Sequence, residues 1–417
     1  MKKYDEYKDS GVAWIGDVPK HWEVKQLKWL FYNLDNLREP ISADKRERTN
    51  PQYEYYGASG VIDKIDYYNV DDRVLLIGED GANLVFRNLP LIYKAEGKFW
   101  VNNHAHILKP MKNVDYGYMY YTLEAADYST FITGSAQPKL SQSNLELQTL
   151  PVPPYYEQVF IATYLDTHCA KIDNLISIQQ KRIALLQELK QSVITHAVTK
   201  GLNPNVEMKQ SGVEWIGDVP KHWKVMPLKF TGTFGNGLTY SPQDVVDNGI
   251  LVLRSSNIQN SSLSFEDNVY VSKVSRDLLV NKGDIIICSR NGSAALVGKS
   301  AFVDKELNAT FGAFMMRYIP NIEKKYGFYL FQTAIGQYKG YFSTTTINQL
   351  TKTTIDEIKV PLAMAEEQAA IASYLDHKCA TIDTSISNAQ HQIDLLQEYK
   401  QSLITEVVTG KRKVTDN

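Results

Sequence analysis

SGVAWIGDVPKHW at residues 10–22 returns as SGVEWIGDVPKHW at residues 211–223, differing only at Ala13 against Glu214. Two further pairs follow: YLDTHCAKID at 164–173 with YLDHKCATID at 374–383, and LLQELKQSVIT at 185–195 with LLQEYKQSLIT at 395–405. The first pair stands 201 residues apart and the others 210, so the chain is two tandem copies with a net nine residues added inside the second. Internal repetition is read first because it governs every later assignment.

Each copy closes on a long helix. Neither Gly nor Pro occurs between Tyr155 and Lys200 or between Ala365 and Thr409, and each run stops at a glycine, Gly201 or Gly410, as helix ends often do. Leu165, Ile172, Leu186 and Val193 share one heptad position and Cys169, Ile176 and Ile183 another, interrupted by Gln179 and Lys190. Copy B repeats the seam with Leu375, Ile382, Leu396, Leu403, Cys379, Ile386, Ile393 and Val407, interrupted by Ala389 and Lys400. A helix from Glu157 to Thr199 is about 65 Å long, too long for the inside of a small domain. The spacing predicts that the two helices pair as a coiled coil, the alternative being that each simply faces a core, and a tandem duplication folded on an antiparallel helix pair acquires an internal pseudo-twofold axis within one chain.

The remaining regions, 1–150 and 208–360, carry short β-rich runs such as Val74-Leu75-Leu76-Ile77 and Asp284-Ile285-Ile286-Ile287 between Gly, Asn, Asp and Ser. They read as two mixed α/β domains whose interiors barely resemble one another. The predicted class is α+β: globular domains at 1–150 and 208–360, a helix with linker at 151–207, and a C-terminal helix at 361–417. Trp14, Pro19 and Trp22, repeated as Trp215, Pro220 and Trp223, suit a packing seam that both halves need.

The 417-residue chain is 43% hydrophobic and 22% charged with 24 Gly and 15 Pro, which excludes disordered, collagen-like and membrane-spanning classes. Its net charge is only -2, divided as -3, 0, +4 and -3 over the four segments, so the second globular domain alone is basic. Cys169, Cys288 and Cys379 lie far apart, which fits a reducing compartment and no cysteine zinc site. The N-terminus lacks the apolar run of a signal peptide, and the expected location is the cytoplasm, away from membranes.

Catalytic motifs fail on inspection. Val152-Pro153-Pro154-Tyr155 has the outline of an amino-methyltransferase loop, but valine cannot accept a hydrogen bond from a base. Phe234-Gly235-Asn236-Gly237 misses the S-adenosylmethionine spacing, and the Glu323/Lys325 and Glu357/Lys359 triplets lack a metal-binding Asp. His104 and His106 share a strand face without a third ligand nearby, so no metal is expected. There is no phosphate-binding Gly-x-x-x-x-Gly-Lys loop.

Taken together, the duplicated Ser-Gly-Val-x-Trp-Ile-Gly-Asp-Val-Pro segment, the Pro-x-Pro-Pro-x-x-Glu-Gln run at 151–158, Glu367-Gln368 and the Leu-Leu-Gln-Glu-x-Lys-Gln-Ser helix ends resemble the specificity subunit of type I restriction–modification systems. Copy B departs at Pro361-Leu362-Ala363-Met364, which lacks the second and third prolines. The resemblance implies a non-catalytic subunit in which two target-recognition domains each read half of a bipartite, asymmetric site on double-stranded DNA. The helices would space the domains and dock two modification subunits, with restriction subunits joining them. S-adenosylmethionine, ATP and Mg would then be held by those partners and not by this chain.

Readers are expected in the diverged domains, among side chains able to reach base edges or phosphates. In the first domain the candidates are Ser135, Gln137 and Lys139 of the 133–139 loop, then Tyr55, Tyr56, Ser59, Arg46 and Arg48. In the second they are Arg254, Ser255, Asn257, Arg290, Asn291, Thr345 and Asn348. Two other readings compete: a nuclease or methyltransferase with unrecognised motifs, and a scaffold bridging proteins.

Overall fold

The computed structural model describes residues 2–338 and 349–414, and its contacts form two compact units. The first joins residues 1–180 to 390–417, and the second is 181–389. Both long helices therefore pass from one unit to the other.

In the first unit six strands form one sheet: β1 (Phe31–Asn33), β2 (Tyr53–Gly57), β3 (Gly60–Ile65), β4 (Val70–Gly78), β5 (Ile92–Val101) and β6 (Ala105–Pro110), in the order β1-β6-β4-β5-β2-β3. Helix α1 (Tyr116–Ala125) follows, its first turn capped by the Asp115 carboxylate, which accepts from the Tyr118 amide. Helix α2 (Tyr155–Lys200) then leaves the unit. Leu75, Ile77 and Leu108 from the sheet pack with Tyr118, Met119 and Leu123 of α1, and with Leu165, Cys169, Leu403 and Val407 from the helix pair.

The second unit has two four-stranded sheets. One contains β7 (Gly232–Asn236), β11 (Ile285–Cys288), β12 (Ser300–Phe302) and β14 (Met315–Pro320), ordered β7-β14-β11-β12. The other contains β8 (Val245–Val246), β9 (Ile250–Leu253), β10 (Tyr270–Val271) and β13 (Ala309–Phe311), ordered β8-β10-β9-β13. Helix α3 (Lys324–Tyr338) covers the first sheet, and α4 (Ala365–Val408) is the last helix.

The two domains share more than their sequences suggest. In β4 and β6 Leu75 faces Leu108 and Gly78 faces Ala105; in β11 and β14 Ile285 faces Tyr318 and Cys288 faces Met315, every residue displaced by 210. The flanking pairs Phe31–Pro110 and Gly232–Pro320, and Ile77–Ile92 and Ile287–Ser300, extend the match to all four strands. The register is 201 at β1/β7 and 210 at β4/β11, so the nine added residues fall between those strands. There the units part company: the β2–β3 hairpin extends the sheet of the first, whereas the second builds its extra sheet.

Each unit seats its domain on the helices through the same contacts. Trp22 and Trp223, both fully buried, donate their indole N–H to Glu157 (3.0 Å) and Glu367 (2.9 Å). The Gln158 side chain accepts from the Asp115 amide and donates to the Pro153 carbonyl; Gln368 does the same with Glu323 and Ala363. Tyr121 and Tyr329 donate to Asp166 and Asp376, both at 2.7 Å. Gly201 and Gly410 end the helices at φ +75° and +73°, with Gly201 against Trp223 and Gly410 against Pro19 and Trp22, so a side chain at either meets both strain and a wall.

Lys190 and Lys400, which interrupt the heptad seam, are explained by the pairing. Lys400 reaches Asp173 at 2.7 Å in the first unit, and Lys190 reaches Asp383 at 2.7 Å in the second. In the first unit Tyr118 donates to both Pro151, just before α2 begins, and Val408 at the end of α4, and farther along Asp173 of α2 meets Lys400 of α4, so one helix ascends as the other descends. The pair is antiparallel there, the arrangement expected of the duplicated chain.

Candidate nucleic-acid interface

In the first unit the 133–139 loop closes on itself: the Thr133 and Lys139 amides each donate to the other's carbonyl at 2.8 Å. Gly134, at φ +83°, lets the chain fold back close to the Gln137 carbonyl. Ser135 and Gln137 are left exposed at the tip, while the Lys139 ammonium is drawn to Glu79 at 3.1 Å.

The base of the loop rests on buried charges. Leu140 donates its amide to the Glu79 carbonyl, and its own carbonyl meets His106 Nε2 at 2.8 Å. His106 is fully buried, and its Nδ1 meets Asp35 at 2.5 Å. Arg38 bridges Asp35 and Glu79. Burial pushes the Asp35 and Glu79 carboxyls up, but His106 on the first and Arg38 and Lys139 on the second hold both below the usual range.

The other candidates of this unit separate by exposure. Ser59 is exposed in the tight turn of the β2–β3 hairpin. Arg46 and Arg48 both bind Asp63, at 3.0 and 2.5 Å, and Arg48, 47% exposed, remains open to an incoming anion. Their hydrogen bonds, led by that of Arg48, pull the Asp63 carboxyl down to about 2.

Tyr55 and Tyr56 are buried, at 1% and 6% exposure. The Tyr55 hydroxyl is tied to the Ile41 backbone and its ring carries the Arg46 guanidinium at 4.2 Å; Tyr56 donates to Glu54 and packs edge-on to Phe99. Alternation sends the two to opposite sides of the strand, and both sides are covered: Tyr55 packs with Ile65 and Trp100, and Tyr56 with Val70, Val74 and Phe99, while the register slip opposite them leaves the extra residue, Ile62, on β3. They pack the domain and offer bases no stacking face.

In the second unit Arg254, Ser255, Arg290 and Asn291 meet around one cleft of about 840 Å³, lined also by Met315 and Phe314. Arg254 is held by Asp267 at 2.7 Å, and Asn291 donates to Ser255. Asn257 is fully buried: it accepts from the Arg254 amide and donates to the Ser264 and Asp267 carbonyls, so it shapes the turn that presents Arg254. Thr345 and Asn348 lie outside the described residues. Asp80 and Phe314, which the sequence reading passed over, and His104, which it weighed only as a metal ligand, adjoin these groups; their one signal as a site was the common 210 register.

Among the described residues no cluster of three or more His, Cys, Asp or Glu is placed to hold a metal, and no helix is long and apolar enough to cross a membrane. All three cysteines are free and buried, with burial pushing the Cys169 and Cys379 thiols up.

Comparison with known proteins bears on the duplicated architecture. The family model for the type I restriction modification DNA specificity domain matches twice, at residues 19–188 and 220–393. The type I restriction enzyme MjaVIII specificity subunit of Methanocaldococcus jannaschii is 23% identical over 95% of this chain and 94% of its own length. The EcoKI specificity subunit of Escherichia coli is 28% identical over 47% of this chain and 44% of its own. Among solved structures, a chain from a study of type I R-M complex assembly and conformational transition superposes with a TM-score of 0.69 at 14% identity, covering 94% of this chain and 98% of that one.

Proposed function

The chain belongs to the type I restriction modification DNA specificity family, and on that premise we propose that each globular domain reads one half of a bipartite, asymmetric DNA site. In this reading it is a sequence-recognition subunit and not a catalytic one, which suits the name specificity subunit that its relatives carry. The observation that carries the two-part reading is a duplicated strand frame presenting unlike groups at one partly exposed position: Asp80 in one unit, Arg290 in the other.

The helices set the interval between half-sites and dock two modification subunits. Support comes from a second apolar stripe that the helix pair leaves uncovered, Leu185 and Leu189 on α2 and, 210 residues on, Leu395 and Tyr399 on α4, each 49–65% exposed. S-adenosylmethionine belongs to those partners, ATP and Mg to restriction subunits, and the assembly works in the cytoplasm. With a net charge of -2, the isolated chain grips phosphate weakly and relies on its partners for tight binding.

The test is exchange of residues 1–150 for those of another family member, followed by mapping of methylated adenines. One half of the methylated sequence should change and the other stay; a change in both halves, or in neither, defeats the reading. Methylation or cleavage of DNA by the purified chain alone would favour an enzyme instead.

A further inference from the structure

At one position the shared frame presents opposite chemistry from the same backbone geometry. After β4, Asp80 forms an isolated antiparallel bridge with Lys139; after β11, Arg290 forms one with Gln349, both partners displaced by 210. The surrounding backbone bonds repeat as well. The Glu79 and Ser289 amides donate to His104 and Phe314, at 2.9 and 3.0 Å, and the Leu140 and Leu350 amides donate to Glu79 and Ser289, at 2.8 and 2.7 Å.

Adjacent residues on an extended chain point to opposite sides. Glu79 and Ser289 are buried, at 8% and 6% exposure, and serve the scaffold. Asp80 and Arg290 take the other side and are only partly covered.

Their surroundings suit two kinds of reader. Asp80 meets the half-exposed His104 ring at 2.7 Å, which steadies a carboxylate that can only accept hydrogen bonds from a base. Arg290 donates to the Gln349 side chain at 2.8 Å and lies 5.6 Å from the ring of Phe314, itself 60% exposed in the wall of the cleft. A guanidinium so held can only donate. In the major groove a carboxylate matches the cytosine amino group, and a guanidinium matches guanine O6 and N7.

We infer that this position sets base identity in both units: Asp80 selects cytosine in the half-site of the first, and Arg290 selects guanine in the half-site of the second. The inference rests on the DNA-reading function proposed above and adds which residues discriminate and for what.

Asp80→Asn and Arg290→Gln test it, because an amide side chain pairs with adenine N6 and N7. Methylated adenines are mapped in the host carrying each substituted chain, with the 1–150 exchange assigning the half-sites. Asp80→Asn should move one position of the first half-site from cytosine to adenine, and Arg290→Gln one position of the second from guanine to adenine. Methylation of the original sequence should fall roughly 5- to 150-fold, with the other half-site untouched. Arg290→Lys should retain guanine, which separates recognition from a fault in folding; melting of each purified variant provides the same control.

Unchanged base preference in both units overturns the inference. So does uniform loss at every site, which would mark these residues as phosphate contacts or loop supports. A wild-type chain with no bipartite methylated sequence would defeat the DNA-reading function instead.

Discussion

Glu157 and Glu367 stand at the same register, receive the same indole and the same histidine, and live in different solvent. In the first unit the Glu157 side chain is 5% exposed and is met by Tyr4, His21 and Trp22; in the second the Glu367 side chain is 37% exposed and takes His222 and Trp223. The contrast at Asp80 and Arg290 is of another kind: geometry is kept and chemistry reversed. Contacts that seat a domain on the helices tolerate a change of solvent but not of partner. At the strand exit the backbone bonds are kept in both units while the partly exposed side chain tolerates a reversal of charge. Duplication thus separates the residues that hold the molecule together from those free to specialise.

The largest effects should come where the two units agree. Trp22→Ala and Trp223→Ala each remove a fully buried indole and leave a cavity, so each should cost about 3–5 kcal/mol in chemical denaturation, with similar losses in both units. A loss in only one would show that the shared seat is not shared in energy. Glu157→Ala comes next, at about 2–3 kcal/mol, since it leaves buried donors without an acceptor; Glu367→Ala should cost about 1 kcal/mol because water can take its place. Equal costs would mean that exposure does not distinguish these sites.

The smallest effect is a pH dependence confined to the first unit. The Asp63 carboxyl, held at about 2 by Arg48 and Arg46, has a folded pKa below its ordinary 3.8. Its contribution is therefore complete above about pH 4 and is lost as pH falls toward 2. Asp63→Asn should flatten the acid limb of the stability curve over that window, by less than the Glu157 variant costs; an unchanged limb would show that the two arginines add nothing there.

Much of this was legible in the sequence. The tandem copies, the helix limits to within two residues and the seam could be read because Trp, Gly, Pro and heptad spacing are demanding about identity. The four-stranded frame was hidden. Val74-Leu75-Leu76-Ile77 and Asp284-Ile285-Ile286-Ile287 occupy equivalent strands, yet a buried strand asks only for apolar bulk, and the register drifts from 201 to 210 and to 208 along the way. Tyr55 and Tyr56 suggested contacts to bases or phosphates; a strand covered on both sides buries both. Asp80 drew no notice, because comparison of copies seeks likeness and its counterpart carries the opposite charge.

The sequence by itself determined that there are two copies, that each ends in a long amphipathic helix, and that no familiar catalytic motif is present, since repetition and periodicity are properties of order along the chain. Only the tertiary structure decided which helix segment seats which domain, that dissimilar interiors share one frame, and that residues 80 and 290 occupy the same place. Those are questions of proximity between residues remote in sequence, answered by strand register and burial in three dimensions.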